Sequence, residues 1–185
     1  MGTWHSRPAG QTPNQAFLLS KSDRIRADKI WTKYVAPIET DFFEATLRCA
    51  MAKSAGIGQI VNLHAPSELE QKELANKVGL FFKALLSDFQ NNQLDNAVQR
   101  SRQLGSRHVS HGGVENRFQP IYWDIFTLSI TETLERECAN IKMSELYCWQ
   151  KFVRQVVIWL SEGYYAKANQ YRASPTNLDR HLTVD

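Results

Sequence analysis

The sequence predicts an all-α fold, and three observations carry that expectation. Apolar residues recur at three- and four-residue steps in one segment after another, as a helix with one buried stripe requires. A capping box, Ser67-Glu68-Leu69-Glu70, opens one long segment, the hydroxyl and the carboxylate three residues on satisfying N–H groups that lack partners in a first turn. No strand signal competes with these periods.

Taken in order, residues 1–19 mix Gly2, Pro8, Gly10 and Pro13 with polar side chains, and read as a flexible arm that cannot bury enough apolar surface to fold. The arm carries Met1-Gly2-x-x-x-Ser6, the N-myristoylation pattern, which marks Gly2 as a lipidation candidate. A single acyl chain gives only weak, reversible membrane association, and no polybasic cluster or neighbouring cysteine adds to it. A first helix is expected from a cap at Ser22 or Asp23, with Ile25, Trp31, Tyr34 and Val35 as its stripe up to Pro37. A second follows at once with Phe42, Phe43, Leu47, Met51 and Ala52, and Ala55-Gly56-Ile57-Gly58 is expected to end it. His64-Ala65-Pro66 reads as a loop before the capped helix, whose face is Leu74, Val78, Phe81 or Phe82, Leu85 and Phe89. Asn91-Asn92 breaks that pattern, and a shorter amphipathic segment runs from Leu94 through Leu104 to His108, stopping at Gly112-Gly113. Two further helices are marked by Phe118, Ile121, Ile125, Leu128 and Leu134, and by Leu146, Trp149, Phe152, Val156, Trp159, Leu160 and Tyr164. Residues 171–185 are polar and read as a tail, leaving 20–170 as one domain.

Composition narrows the function. A chain of 185 residues that is 43% hydrophobic can bury one substantial core. Its 22 basic and 19 acidic residues leave +3, spread too evenly for a nucleic-acid footprint. Cys49, Cys138 and Cys148 are odd in number and lack CxxC spacing, so neither a disulfide framework nor a zinc site is expected. Cys49 and Cys148 read as buried packing residues. With no apolar run near the roughly 20 residues of a membrane span and no secretion signal, the expected location is cytoplasmic, with a lipid anchor the one route to a membrane.

The stretch with chemical content is Leu104-Gly105-Ser106-Arg107-His108, followed by Gly112-Gly113-Val114 and then Phe118. A histidine at the frayed end of a short helix can turn its ring out into an interhelical space. The unit resembles the proximal-histidine segment of globins, and with the helix order and the late tryptophan and tyrosines it is similar to neuroglobin-like, globin X-like and nematode intracellular globins across residues 20–170. The resemblance implies a globin fold of six to eight helices around a haem pocket, with b-type haem iron (haem b) held by His108. Ser101 or Leu104 would accept the hydrogen bond from the second ring nitrogen. The reading that competes is an ordinary helix C-terminal histidine, favoured there by the helix dipole.

The same resemblance places Leu74 at the distal position, where globins usually have a histidine, with Val78 beside it and Phe118 opening the next helix. Ile60, Val61 or Leu63 stands where globins present a haem-contacting phenylalanine, and the usual proline is missing. Leu74 and Val78 read equally as core packing. His64 is a second candidate iron ligand that would close the haem to gases, or else a solvent-facing loop residue, and His111 is expected to face solvent. Lys77 and Arg107 could reach haem propionates or simply be solvated. The expected function is binding of O₂ or another diatomic gas, or redox signalling and electron transfer with an unidentified partner, by a monomer or weak homodimer. NO dioxygenation or nitrite reduction would be secondary activities, since no acid–base pair stands out. The alternative is a globin-like module without haem that senses or binds proteins.

Overall fold

The computed structural model describes residues 19–109 and 118–173. Gly2 and the arm, His111 with the Gly112-Gly113 pair, and the tail from 174 lie outside the described residues. The described chain is helical, with no strand: α1 Lys21–Ile30, α2 Glu39–Lys53, α3 Ala55–His64, α4 Glu68–Gln90, α5 Leu94–Arg107, α6 Ile121–Glu137 and α7 Met143–Arg172.

The first helix starts earlier than expected. Ser20 is its cap: the hydroxyl accepts the Asp23 N–H at 3.1 Å and the Asp23 carboxylate accepts the Ser20 N–H at 3.0 Å. Asp23 also pairs with Lys151, tying α1 to α7. Past Ile30 the chain widens into a π-turn over Trp31–Val35 and tightens into a 3₁₀ turn over Ala36–Ile38, so α2 begins at Glu39 and not directly at Pro37. Trp31 and Val35 are buried as expected, but Ile25 is 49% exposed, because periodicity locates a stripe without saying which of its members reach a neighbour.

The segment Ala55-Gly56-Ile57-Gly58 does not close the second helix into a loop. Ser54 caps a new helix, its hydroxyl accepting the Ile57 N–H at 3.3 Å, and both glycines lie inside α3. A Cβ on Gly56 would meet the Tyr122 hydroxyl of α6. His64 is therefore the last residue of α3 and not a loop residue. The Ser67 capping box starts α4 as expected, its hydroxyl accepting the Glu70 N–H at 3.3 Å. α4 ends at Asn91-Asn92, where Asn92 takes a φ of 56°, a left-handed conformation that asparagine tolerates. The corner between α4 and α5 is held by buried Asp88, which accepts from Arg100 Nε at 3.1 Å.

The core is aromatic. Trp149 of α7 lies between Trp31 at 6.5 Å and Phe82 at 6.3 Å, with Phe152 edge-on to Phe82 at 5.8 Å. α2 and α6 cross over small hydroxyl side chains, the fully buried Thr46, Ser129 and Thr133. On α6 the buried face is Trp123, Ile130 and Leu134, whereas Ile121 and Leu128, expected on the core face, are about half exposed. Cys148 and Cys138 are buried; Cys49 is only half-buried. Among the described residues no helix is long and apolar enough to cross a membrane.

Candidate functional site

α5 and α7 are locked by paired glycines. A Cβ on Gly105 would fall on the Leu160 carbonyl, and one on Gly163 would fall on the Arg102 carbonyl. Two backbones can approach this closely only where neither carries a side chain. Beside the crossing, Arg102 Nη2 donates to Glu162 Oε2 at 2.7 Å. The last turn of α5 is thus fixed against a thirty-residue helix, and His108 follows it directly.

His108 caps α5. Its Nδ1 lies 2.9 Å from the Leu104 carbonyl, and a carbonyl only accepts, so Nδ1 carries the proton and Nε2 is left with its lone pair. Of the two expected acceptors the chain uses Leu104; Ser101 donates instead to the Ala97 carbonyl at 2.8 Å. Burial pushes the His108 imidazole below its ordinary 6.5, against the Leu104 bond, which favours the protonated ring; the charge of His64 pushes in the same direction as burial. A neutral imidazole with a free Nε2 is the form that ligates a metal.

The ring sits among other rings. Phe118 is 4.8 Å away and Trp123 is 4.7 Å away, both edge-on. Phe118 is held from α7, whose Tyr164 hydroxyl donates to the Phe118 carbonyl at 3.1 Å. Val78, Phe81, Leu104 and Phe118 are partly buried against the main core, while Leu74 packs on a second cluster of Ala50, Ile57 and Val61 with Leu47, Met51, Tyr122 and Ile125. The two groups meet where Phe118 and Tyr122 lie 5.5 Å apart. Half-buried apolar side chains of the two clusters thus form a seam that meets His108 at Phe118.

Leu74 and Val78 lie one turn apart on α4, with Phe81 continuing the stripe beside the buried Ala75, Gly79 and Phe82. Val61 is buried in the second cluster, and Ile60 is half-buried on the adjoining face of α3. His64 is exposed but shares a helix face with Ile57 and Val61, and so stands at the rim of the seam. Lys77 and Arg107 are exposed on their helices. Trp123, Tyr122 and Gly163 were not legible as site residues. Gly163 alone left a signal, an isolated glycine inside an amphipathic helix.

Among the described residues no three His, Cys, Asp or Glu side chains gather to hold a metal ion directly. A haem iron does not need such a group, because the macrocycle supplies four of its ligands and a single histidine suffices. A cavity of about 180 Å³ opens elsewhere, between α1 and the end of α4, lined by Lys21, Arg24, Ile25 and Phe89 among others. No protein-family model matches the sequence, and no curated protein matches it significantly.

Proposed function

We propose that the chain is a globin-fold haem protein in which His108 Nε2 holds the iron of b-type haem, and that it binds a diatomic gas or passes electrons. One observation carries the reading: a neutral histidine at the end of α5, oriented by its own helix through Leu104, with its ring against the rings of Phe118 and Trp123. The residues present suit the group. Phe118 and Trp123 flank the ligand ring, Val78 and Leu74 offer an apolar surface from α4, and these side chains stop half-buried, except Trp123, so a flat apolar macrocycle would complete their burial.

Bound haem supplies an iron that takes up O₂, NO or CO and alternates between ferrous and ferric states. The chain's own contribution is to set how that iron behaves. The Leu104 carbonyl fixes the His108 tautomer and raises the basicity of Nε2. Leu74 cannot donate a hydrogen bond. A hydrogen bond to a partly charged ligand contributes about 1.5–3 kcal/mol, so O₂ binding should be roughly 10- to 100-fold weaker than in a site with a distal donor. CO, which carries little charge, should lose less. This favours gas sensing or redox exchange over oxygen carriage.

Leu74→His tests the geometry. It should slow O₂ dissociation or convert the ferrous spectrum to a six-coordinate form; no effect on either would mean Leu74 does not face the iron. The second reading, a haem-free interaction module, draws on the seating of the Tyr122 hydroxyl of α6 on Gly56 of α3. Purification of a haem-free chain from cells supplied with haem would favour it.

A further inference from the structure

α1 carries four cations, Lys21, Arg24, Arg26 and Lys29, against two acids, Asp23 and Asp28. Both acids are engaged within the fold. Asp23 pairs with Lys151 and accepts from the Ser20 hydroxyl, and Asp28 accepts from Gln90 Nε2 at 2.8 Å. None of the four cations ends in an ion pair or a side-chain hydrogen bond among the described residues. Lys33, just beyond the helix, does find a partner in Glu145 at 3.6 Å.

The placement of these residues matters as much as their charge. Steps of four put Lys21, Ile25 and Lys29 in one row along α1, on the side away from the buried Ala27 and Ile30. Arg24 and Arg26 stand on either side of Ile25, which is 49% exposed. The cavity of about 180 Å³ opens beside this row, with Lys21, Arg24 and Ile25 contributed by α1 and Phe89, Gln90 and Asn92 by the end of α4. An apolar side chain ringed by unpaired cations thus borders a cleft that reaches the buried Phe89 ring.

We propose that this face of α1 is a contact site for an anionic phospholipid bilayer. The helix lies along the headgroup plane, Ile25 enters the acyl boundary, and the four cations reach phosphate and carboxylate oxygens on stems that lie against the apolar layer. Each basic residue near such a surface strengthens binding about fivefold, so four together give several hundredfold. A nucleic acid would satisfy the same cations but would set Ile25 against a charged backbone, and α1 exposes no aromatic ring on which a base could stack. A single acyl chain on the lipidation candidate Gly2 would hold only reversibly, and this face is the second contact that stable attachment needs. The site uses no residue of the His108 seam and stands or falls apart from the haem reading.

The test is flotation of the full, unacylated chain with vesicles of phosphatidylcholine alone and of equal parts phosphatidylcholine and phosphatidylserine. Binding is expected to the anionic vesicles, and to be lost at high salt. Lys21→Glu with Lys29→Glu, both exposed, should weaken it at least about 25-fold. Ile25→Gln, which keeps every charge, should weaken it severalfold. Lys167→Glu with Arg172→Glu, the same charge change at the far end of α7, should leave it as it was. Equal binding to both vesicles, indifference to either α1 variant, or an equal loss in the α7 variant would overturn the proposal. Tighter binding of duplex DNA than of anionic vesicles at the same salt, dependent on Lys21 and Lys29, would assign the face to nucleic acid and overturn it as well.

Discussion

The α5–α7 crossing and the α3–α4 face are built on opposite principles. At the crossing, α5 lies against α7 with no room for a Cβ on Gly105 or Gly163, and Leu160 is buried beside it. On the other face, Leu74, Val78 and Phe81 stop half-buried, and α3 ends on an exposed His64. The tight wall holds the last turn of α5, which His108 follows, and the open wall leaves apolar surface only partly covered.

The comparison can be broken most forcefully at the crossing. Gly163→Ala places a methyl group on the Arg102 carbonyl, where backbone and not a flexible side chain must yield. Its cost should be at least about 3 kcal/mol, at the upper end for overpacking, and urea denaturation should show a lowered midpoint. On the open wall, Leu74→Ala removes a half-buried side chain and should cost only about 1 kcal/mol. Equal costs for the two substitutions would erase the distinction between the walls. Ser67→Ala, at the cap of the same open wall, should also cost about 1 kcal/mol, and hydrogen exchange should quicken at the first turn of α4 while α7 stays protected.

The smallest effect is in pH. His108 has a lowered value in the folded chain, so the unfolded chain binds the proton first as pH falls below the ordinary 6.5. Stability therefore declines from about 6.5 downward and the decline from this group ends once pH is below the lowered folded value. Asp23, Glu70, Glu132 and Glu145, all lowered carboxyls, add their own loss only in the acid range. Thermal unfolding of the haem-free chain should show the first decline, and His108→Leu should remove it.

What the sequence made legible was local. The Ser67 box and the break at Asn91-Asn92 each state their own geometry in neighbouring residues and stand where expected, whereas α5 stops at Arg107, ahead of the expected Gly112-Gly113. What it hid depends on distant partners. Gly56 reads as a terminator but lies inside α3 beside Tyr122, Gly163 acquires its meaning only from Arg102, and Trp123 meets His108 from a different helix. Ile25 and Leu128 show the converse, since they keep the period of a buried stripe but find no neighbour to cover them. The apolar stripe of α4 was legible in Leu74 and Val78, but their half-buried state was not, because exposure is a property of the packing between helices.

The most direct test of the central claim is an absorption spectrum of the chain purified with haem, in ferric, ferrous and CO-bound forms, beside His108→Ala. The account predicts a Soret band that shifts with oxidation state and CO in the unaltered chain and is lost in the variant. A band that survives unchanged in His108→Ala would contradict it.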